Sequence, residues 1–348
     1  MFHELTVARV DQLCADAAAL TFDVPQELAR EFSFAAGQSL TVRRIVDGRD
    51  ERRSYSICSA VGNTPRIGVR VVENGAVSGW LVRQVRAGDQ VEVQPPAGTF
   101  GAAVRDGMHH VVIAAGSGIT PVLSIANSIL HRAGTELTLL YGNRRADSVM
   151  LADEVAELKD AHPDRVNLVH VLSREAQEVD LFNGRIDATK LRTLLPMLGV
   201  PSSVDHWWLC GPFGMITDAI EVLTEFGVPR DRIHRELFYV EELPPEQAQH
   251  DEPTLRGGSE VTVVLNGRTT VITIARDTPV LDGAQGLRPD LPFACRGGVC
   301  GTCRARLVTG EVRMRRNFAL EPDELEAGYV LTCQSLPVSD QLTVDFDS

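Results

Sequence analysis

Four of the seven cysteines stand together near one end of the chain: Cys295, Cys300 and Cys303 within nine residues, and Cys333 in Leu331-Thr332-Cys333-Gln334. In a reducing compartment, clustered thiols more often hold metal or do redox work than form disulfides. Their spacing, C-x4-C-x2-C-x29-C, is that of a [2Fe–2S] site in which one loop supplies three ligands and a distant segment the fourth. Gly297, Gly298 and Gly301 let the loop backbone approach the sulfurs and aim N–H groups at them, which helps set a reduction potential. Four thiolates can also hold structural zinc, but zinc sites favour two short C-x2-C pairs and this sequence has one.

A second set of residues suits nucleotides. Val111 to Ala115 followed by Gly116-Ser117-Gly118-Ile119-Thr120-Pro121 reads as a strand, a glycine turn and a helix start. Gly116 and Gly118 permit close approach of a phosphate, and Thr120 with Pro121 opens the helix that faces it. The third glycine of the dinucleotide fingerprint is missing, so this turn alone does not assign the ligand. Trp208-Leu209-Cys210-Gly211-Pro212 ends another strand at the carboxyl edge, where α/β sheets bind ligands. Taken alone, Cys210 is an inert buried thiol. Earlier, Arg53-Ser54-Tyr55-Ser56 on a strand puts Arg53 and Tyr55 on one side and Ser56 on the other. A cation, an aromatic face and a hydroxyl suit the phosphate, ring and ring-edge nitrogen of a flavin, although for this tetrapeptide alone a surface Arg beside a half-buried Tyr is the better reading. Asn74-Gly75-Ala76-Val77-Ser78-Gly79 offers a glycine turn and a Ser at a helix start, an anion site for a pyrophosphate.

The elements that must carry these residues divide the chain into segments. Residues 1–105 hold short alternating apolar runs (6–10, 20–24, 39–43, 67–72, 90–93), the period-2 pattern of an antiparallel barrel or sandwich. Residues 106–240 alternate apolar strands (111–115, 137–141, 166–172, 207–210) with helical stretches (121–131, 153–161, 188–198, 215–226), the order of a parallel α/β sheet. Residues 241–257 are acidic and proline-bearing, a linker. Residues 258–348 open with two alternating runs around Asn266-Gly267, a hairpin signal.

Composition bounds the function. An apolar share of 44% and a charged share of 23% belong to a folded globular protein and exclude global disorder. Thirty-four Lys and Arg against 47 Asp and Glu give 34 − 47 = −13, which repels a phosphate backbone and argues against nucleic acid as a partner. No stretch approaches the ~18 apolar residues of a membrane span, and the amino end shows no secretory pattern, so a cytoplasmic protein is expected.

Residues 258–348 resemble a plant-type ferredoxin, on the strength of the cysteine motif. Residues 1–240, with Arg53-Ser-Tyr-Ser56, the Gly116 turn and Cys210-Gly-Pro in order, resemble the ferredoxin-NADP reductase superfamily. The resemblance implies an FAD-binding β-barrel, a nicotinamide domain and an α+β β-grasp ferredoxin domain. It implies that Arg53 holds the FAD pyrophosphate, Tyr55 packs on the isoalloxazine, Ser56 bonds near flavin N5, and Gly75, Val77 and Ser78 face phosphate. Cys210, with Gly211 and Pro212, then stands on the nicotinamide side. Glu236 in Glu236-Leu-Phe238 lies near the hydride path and Phe238 covers the flavin.

Two departures stand out. Ala36 replaces the proline common before Gly37. Gly283 and Gly286 shorten or loosen the helix expected at 281–287, since glycine costs roughly 1 kcal/mol inside a helix. The order flavin, nucleotide, ferredoxin resembles the reductases of multicomponent oxygenases. Arg52-Arg-Ser-Tyr-Ser-Ile-Cys58, Leu140-Tyr-Gly-Asn-Arg144, His170-Val-Leu-Ser-Arg174 and Gly328-Tyr-Val-Leu-Thr-Cys-Gln334 place it nearest the reductase subunits of di-iron phenylacetyl-CoA epoxidases. The steroid 9α-hydroxylase reductases share this layout, which keeps a Rieske-type acceptor open. A metal-binding module on a degenerate reductase scaffold is the non-enzymatic alternative.

The expected electron path runs from NADPH to FAD to the cluster to an oxygenase. NADPH is preferred to NADH because the second and third strands of the α/β segment end in Arg144-Arg145 and Ser173-Arg174, and guanidinium binds phosphate in a fork. Asp147 and Glu175 stand nearby. Arg296, Arg304, Arg306, Arg313, Arg315 and Arg316 crowd the cluster loop, either as a solvated face or as a docking patch for an acidic partner.

Overall fold

A computed structural model describes residues 1–199, 201–239 and 257–348. The expected linker at 241–257 lies outside the described residues except for Gly257. The chain divides into two units, 1–239 and 240–348.

The first unit begins with an antiparallel sheet of β1 (His3–Cys14), β2 (Ala17–Asp23), β3 (Ser39–Val46), β4 (Arg49–Ser56), β5 (Arg66–Arg70) and β6 (Gln90–Val93), in the order β4-β3-β6-β1-β2-β5. Its two edges meet at the bridge Ile57↔Ile67, where the Cys58 N–H donates to Arg66 O at 2.7 Å. The sheet therefore closes into a barrel filled by Leu5, Val7, Leu20, Phe22, Leu40 and Val42. These inward residues are the alternate positions of the amphipathic runs. The short helix α1 (Ser78–Arg83) lies between β5 and β6.

The α/β portion follows with β7 (His109–Ala115), α2 (Ile119–Leu130), β8 (Glu136–Asn143), α3 (Ala152–Ala161), β9 (Val166–Leu172), α4 (Ala188–Leu198), β10 (His206–Pro212), α5 (Phe213–Glu225) and β11 (Ile233–Tyr239). All neighbours are parallel, in the order β11-β10-β7-β8-β9. The order reverses between β7 and β10, which opens a crevice at their carboxyl ends. Helix α2 starts at Ile119, two residues before the expected Pro121, because proline is accommodated in a first turn that needs no N–H from it.

The barrel and the parallel sheet share a core. Ala17, Cys58 and Phe100 pack with Val112, Ile119, Leu139, Tyr141 and Trp208, and Phe100 meets Trp208 edge-on at 5.5 Å. Arg66 adds ion pairs to Glu154 on α3 at 2.7 Å and to Asp11 on β1 at 3.2 Å. Two segments that differ in pattern thus form one unit.

The second unit contains β12 (Gly258–Leu265), β13 (Arg268–Ala275), α6 (Val280–Ala284), β14 (Arg304–Thr309), β15 (Val312–Met314), α7 (Pro322–Glu326), β16 (Tyr329–Leu331), β17 (Ser335–Pro337) and β18 (Gln341–Asp345). Its main sheet runs β13-β12-β18-β14-β16, and β12 pairs with β18 in parallel. Asn266 and Gly267 both have positive φ, 53° and 67°, as a type I′ hairpin turn requires. Helix α6 is only five residues long. A Cβ on Gly283 would stand 2.5 Å from Ile274 Cγ2, so this glycine is what lets the helix lie on β13. Among the described residues, no helix is long and apolar enough to cross a membrane.

Candidate functional site

The carboxyl ends of β4, β10 and β11 bring three of the expected residues together. Ser56, at the end of β4, is buried and donates through Oγ to Glu236 Oε2 at 3.3 Å, across 180 residues of sequence. Glu236 on β11 is registered opposite Cys210 on β10, and Cys210 opposite Ala114 on β7. Cys210 is fully buried, and burial, then the Glu236 carboxylate, raises its thiol well above the ordinary range. It is a neutral thiol, not a nucleophile. Burial likewise pushes the Glu236 carboxyl up to about 8, against the opposing hydrogen bond from Ser56. The cluster sets a buried hydroxyl and a buried thiol beside a half-buried acid that is held largely protonated. Cys58, packed in the core, is pushed up by burial to about 12, an inert thiol.

The glycine turns meet in the same crevice. Gly116 has φ +55°, and a Cβ on Gly118 would stand 2.1 Å from Cys210 O. Only a glycine lets the first loop rest against the second. Thr120 Oγ1 donates to Ser117 O at 2.9 Å and Pro121 follows in the first turn of α2. This leaves the helix start pointing at the crevice, as a phosphate site needs. Gly211 and Pro212 continue from Cys210 into α5.

Two residues that sequence reasoning missed complete this end. Tyr141 Oη lies 2.9 Å from Gly116 O and 3.1 Å from Met150 O, bracing the turn from below. Two positions on, Asn143 is 6% exposed, and neither of its side-chain amide atoms finds a hydrogen-bond partner. A buried amide without a protein partner in a crevice fits a polar ligand. Asn143 stands in the Leu140-Tyr-Gly-Asn-Arg144 run, but nothing in its type announced burial.

On the flavin side, Tyr55 packs against the barrel core while its buried hydroxyl lacks a hydrogen-bond partner. Arg53 is half-exposed and pairs with Glu51 at 3.2 Å. Phe238 is partly buried against the shared core. A Cβ on Gly75 would stand 2.7 Å from Ser78 Oγ, and that Oγ accepts from the Val72 N–H at 3.1 Å. The hydroxyl holds the turn and still has its own proton to donate. Val77, buried, caps α1. The orphaned Tyr55 hydroxyl and this tight glycine turn fit an aromatic, phosphate-bearing group.

At the far edge of β8 and β9, Arg174 N–H donates to Arg144 O at 2.8 Å and Ser173 N–H to Asn143 O at 2.9 Å. Arg144, Arg145 and Arg174 are exposed there together. Arg145 lies 3.5 Å from Asp147, and Glu175 accepts from the Ala146 N–H at 2.9 Å.

In the second unit the four cysteines gather as two pairs. The Cys295 and Cys300 thiols lie beside each other, as do those of Cys303 and Cys333. Cys295 Sγ accepts from the N–H groups of Gly297 and Cys300 at 3.3 and 3.4 Å. Gly298 and Gly301 have φ of +78° and +68°. Among the described residues, no three metal-binding side chains converge as one ion would require. A spacing with a single C-x2-C pair suits two irons with two thiolates each better than one zinc. The arginines around the loop are not equivalent. Arg296, Arg304, Arg306, Arg313 and Arg315 are all exposed, and of these Arg296 pairs with Asp282 at 2.8 Å and Arg304 with Glu324.

Comparisons with known proteins assign families to three segments of the chain. Residues 4–101 match the family described as oxidoreductase FAD-binding domain, 112–221 the oxidoreductase NAD-binding domain and 263–338 the 2Fe-2S iron-sulfur cluster binding domain. The chain is 41% identical over its full length, and over 98% of the relative's, to one of the subunits of the 1,2-phenylacetyl-CoA epoxidase of Escherichia coli. It is 35% identical, over 99% of this chain and 97% of the relative, to a 3-ketosteroid-9-alpha-monooxygenase ferredoxin reductase component of Mycolicibacterium smegmatis. The solved phthalate dioxygenase reductase shares the fold with a TM-score of 0.61 at 23% identity, over 99% of this chain and 98% of that one. The chain belongs to the ferredoxin-NADP reductase-type family with a C-terminal ferredoxin domain, and is an electron-transfer oxidoreductase that uses FAD, a nicotinamide nucleotide and a [2Fe–2S] cluster.

Proposed function

We propose that this chain draws electrons from NADPH and delivers them to the oxygenase of a phenylacetyl-CoA epoxidase complex. The full-length likeness to the epoxidase component, greater than that to the ketosteroid reductase, carries this reading. When bound, FAD and the cluster convert a two-electron hydride donor into single electrons. The chain's own residues bind and orient. Arg53, Gly75, Val77 and Ser78 hold phosphate, and Tyr55 and Phe238 offer aromatic faces. Ser56 orients Glu236, whose raised carboxyl keeps a proton beside the buried Cys210. Gly116, Gly118, Thr120 and Pro121 shape the phosphate turn below Gly211 and Pro212. Arg144, Arg145, Ser173 and Arg174, gathered at one sheet edge, support NADPH over NADH, since they offer a fork for a 2′-phosphate. Cys295, Cys300, Cys303 and Cys333 would hold the two irons.

The test combines the purified chain with NADPH, oxygen, phenylacetyl-CoA and the oxygenase components of an epoxidase, and follows the CoA product by mass spectrometry. Product formation dependent on this chain is expected. Its absence, with FAD and cluster still reduced by NADPH, would reject the epoxidase acceptor. A second reading, supply of electrons to a steroid-type oxygenase, rests on the ketosteroid relative and is checked by exchanging the oxygenase in the same assay.

A further inference from the structure

The residue after the fourth cysteine is a glutamine, and its side chain is 4% exposed. Gln334 Nε2 donates to Arg296 O at 2.7 Å, within the loop that carries the other three cysteines. The same nitrogen lies 3.0 Å from Cys333 O and 3.7 Å from Cys333 Sγ. All three neighbours are acceptors, so the amide must present its NH2 here and not its oxygen. One proton goes to Arg296 O; the other is shared between the Cys333 carbonyl and its sulfur.

The backbone fixes this placement. Gln334 N–H donates to Leu331 O at 2.8 Å, and Gln334 O accepts from the Arg315 N–H at 2.9 Å. A Cβ on Gly298 would stand 3.1 Å from Gln334 Cγ, so the second glycine of the loop clears the space that the glutamine fills.

We infer that Gln334 is a positioning residue that tunes the cluster by donating a side-chain hydrogen bond to the Cys333 sulfur while tying that ligand to the loop of the other three. The inference rests on the four cysteines holding the cluster. A sulfur bound to iron carries more negative charge than a thiol and competes better for the shared proton, because charge-assisted bonds are the stronger ones. Reduction adds negative charge to the cluster, so a donor at Cys333 favours the reduced form and raises the potential.

The experiment is a redox titration of the full-length protein, following the reduced cluster by EPR, for wild type, Gln334→Met and Gln334→Glu. Iron, sulfide and FAD content and reduction of FAD by NADPH serve as controls, so that failure of the reductase reading would be seen separately. Methionine keeps the length and removes both donors; glutamate keeps the shape and replaces donors by acceptors. With the cluster retained, both midpoints should move to more negative values, glutamate further. A purely structural role would lower cluster content while leaving the midpoint of the retained cluster unchanged, and that result overturns the inference. Should the variants lose the cluster, wild-type protein with 15N-labelled glutamine side-chain amides decides. A weak nitrogen coupling in the electron spin-echo spectrum of the reduced cluster that follows the label is expected, and no such coupling would reject the bond.

Discussion

Glu236 is the residue whose surroundings most change its chemistry. Its carboxyl is raised from 4.5 to about 8, so between those values the folded unit holds a proton that the unfolded chain does not. Its contribution to stability is complete below the ordinary value and is lost as pH rises through the folded one. Wild-type protein should therefore resist urea less at pH 8.5 than at pH 6.5, read by release of FAD fluorescence, and Glu236→Gln should lack that contribution. Cys210 has a different part. With a raised thiol it can only pack and orient, so Cys210→Ala should slow reduction of FAD by NADPH by on the order of tenfold, about 1.4 kcal/mol, while FAD stays bound. Loss of FAD, or an unchanged rate in stopped flow, would contradict that part. Both residues stand in short runs that the sequence makes visible, but their energies do not: the trio with Ser56 depends on register between β10 and β11, which no local pattern encodes. Asn143 was illegible because nothing in its residue type marks it as buried.

Elements were the most legible level. The alternating runs of the barrel, the four helices of the α/β portion and the Asn266-Gly267 hairpin follow directly from period and turn chemistry. What period cannot give is where two loops touch. Gly118 reads as a phosphate glycine, yet its tightest neighbour is protein, Cys210 O. Gly118→Ala should accordingly destabilise the first unit by about 1–3 kcal/mol, as overpacking does, and raise the KM for nicotinamide nucleotide, measured by denaturation and steady-state kinetics. Around the cluster loop, Arg296 and Arg304 are exposed but held in ion pairs, and Arg306, Arg313 and Arg315 are exposed as well. The docking reading predicts that Arg313→Glu with Arg315→Glu weakens transfer to the oxygenase and flattens its salt dependence, without affecting reduction of FAD. Unchanged salt dependence would leave these arginines as a solvated face.

At the scale of the molecule, the two units should answer acid differently. His110, His206 and His234 gather where β7, β10 and β11 begin, with His206 Nδ1 2.8 Å from His234 Nε2 and Trp208 Nε1 donating to His110. Burial lowers all three, His110 and His234 to about 4. The unfolded chain binds these protons first, so stability that is complete above pH 6.5 is lost as pH falls toward 4. Glu236 acts in the opposite sense above pH 4.5, as one group against three. Residues 257–348 contain no histidine. FAD should thus be released between pH 6.5 and 4.5 before the second unit loses its far-UV signal. Simultaneous loss would show that the histidines do not set the order. The three-part layout was readable from composition, whereas the shared core of the first two parts was not, because Phe100 and Trp208 carry no mark of having each other as neighbours.

The bond from Ser56 to Glu236 closes its loop at the last strand of the first unit. A nascent chain that has emerged only as far as β10 already has every glycine of the nucleotide turns but still lacks Glu236. Synthesis from the amino end thus orders assembly, with the acid pocket completed only after the barrel and four of the five parallel strands are available to receive it.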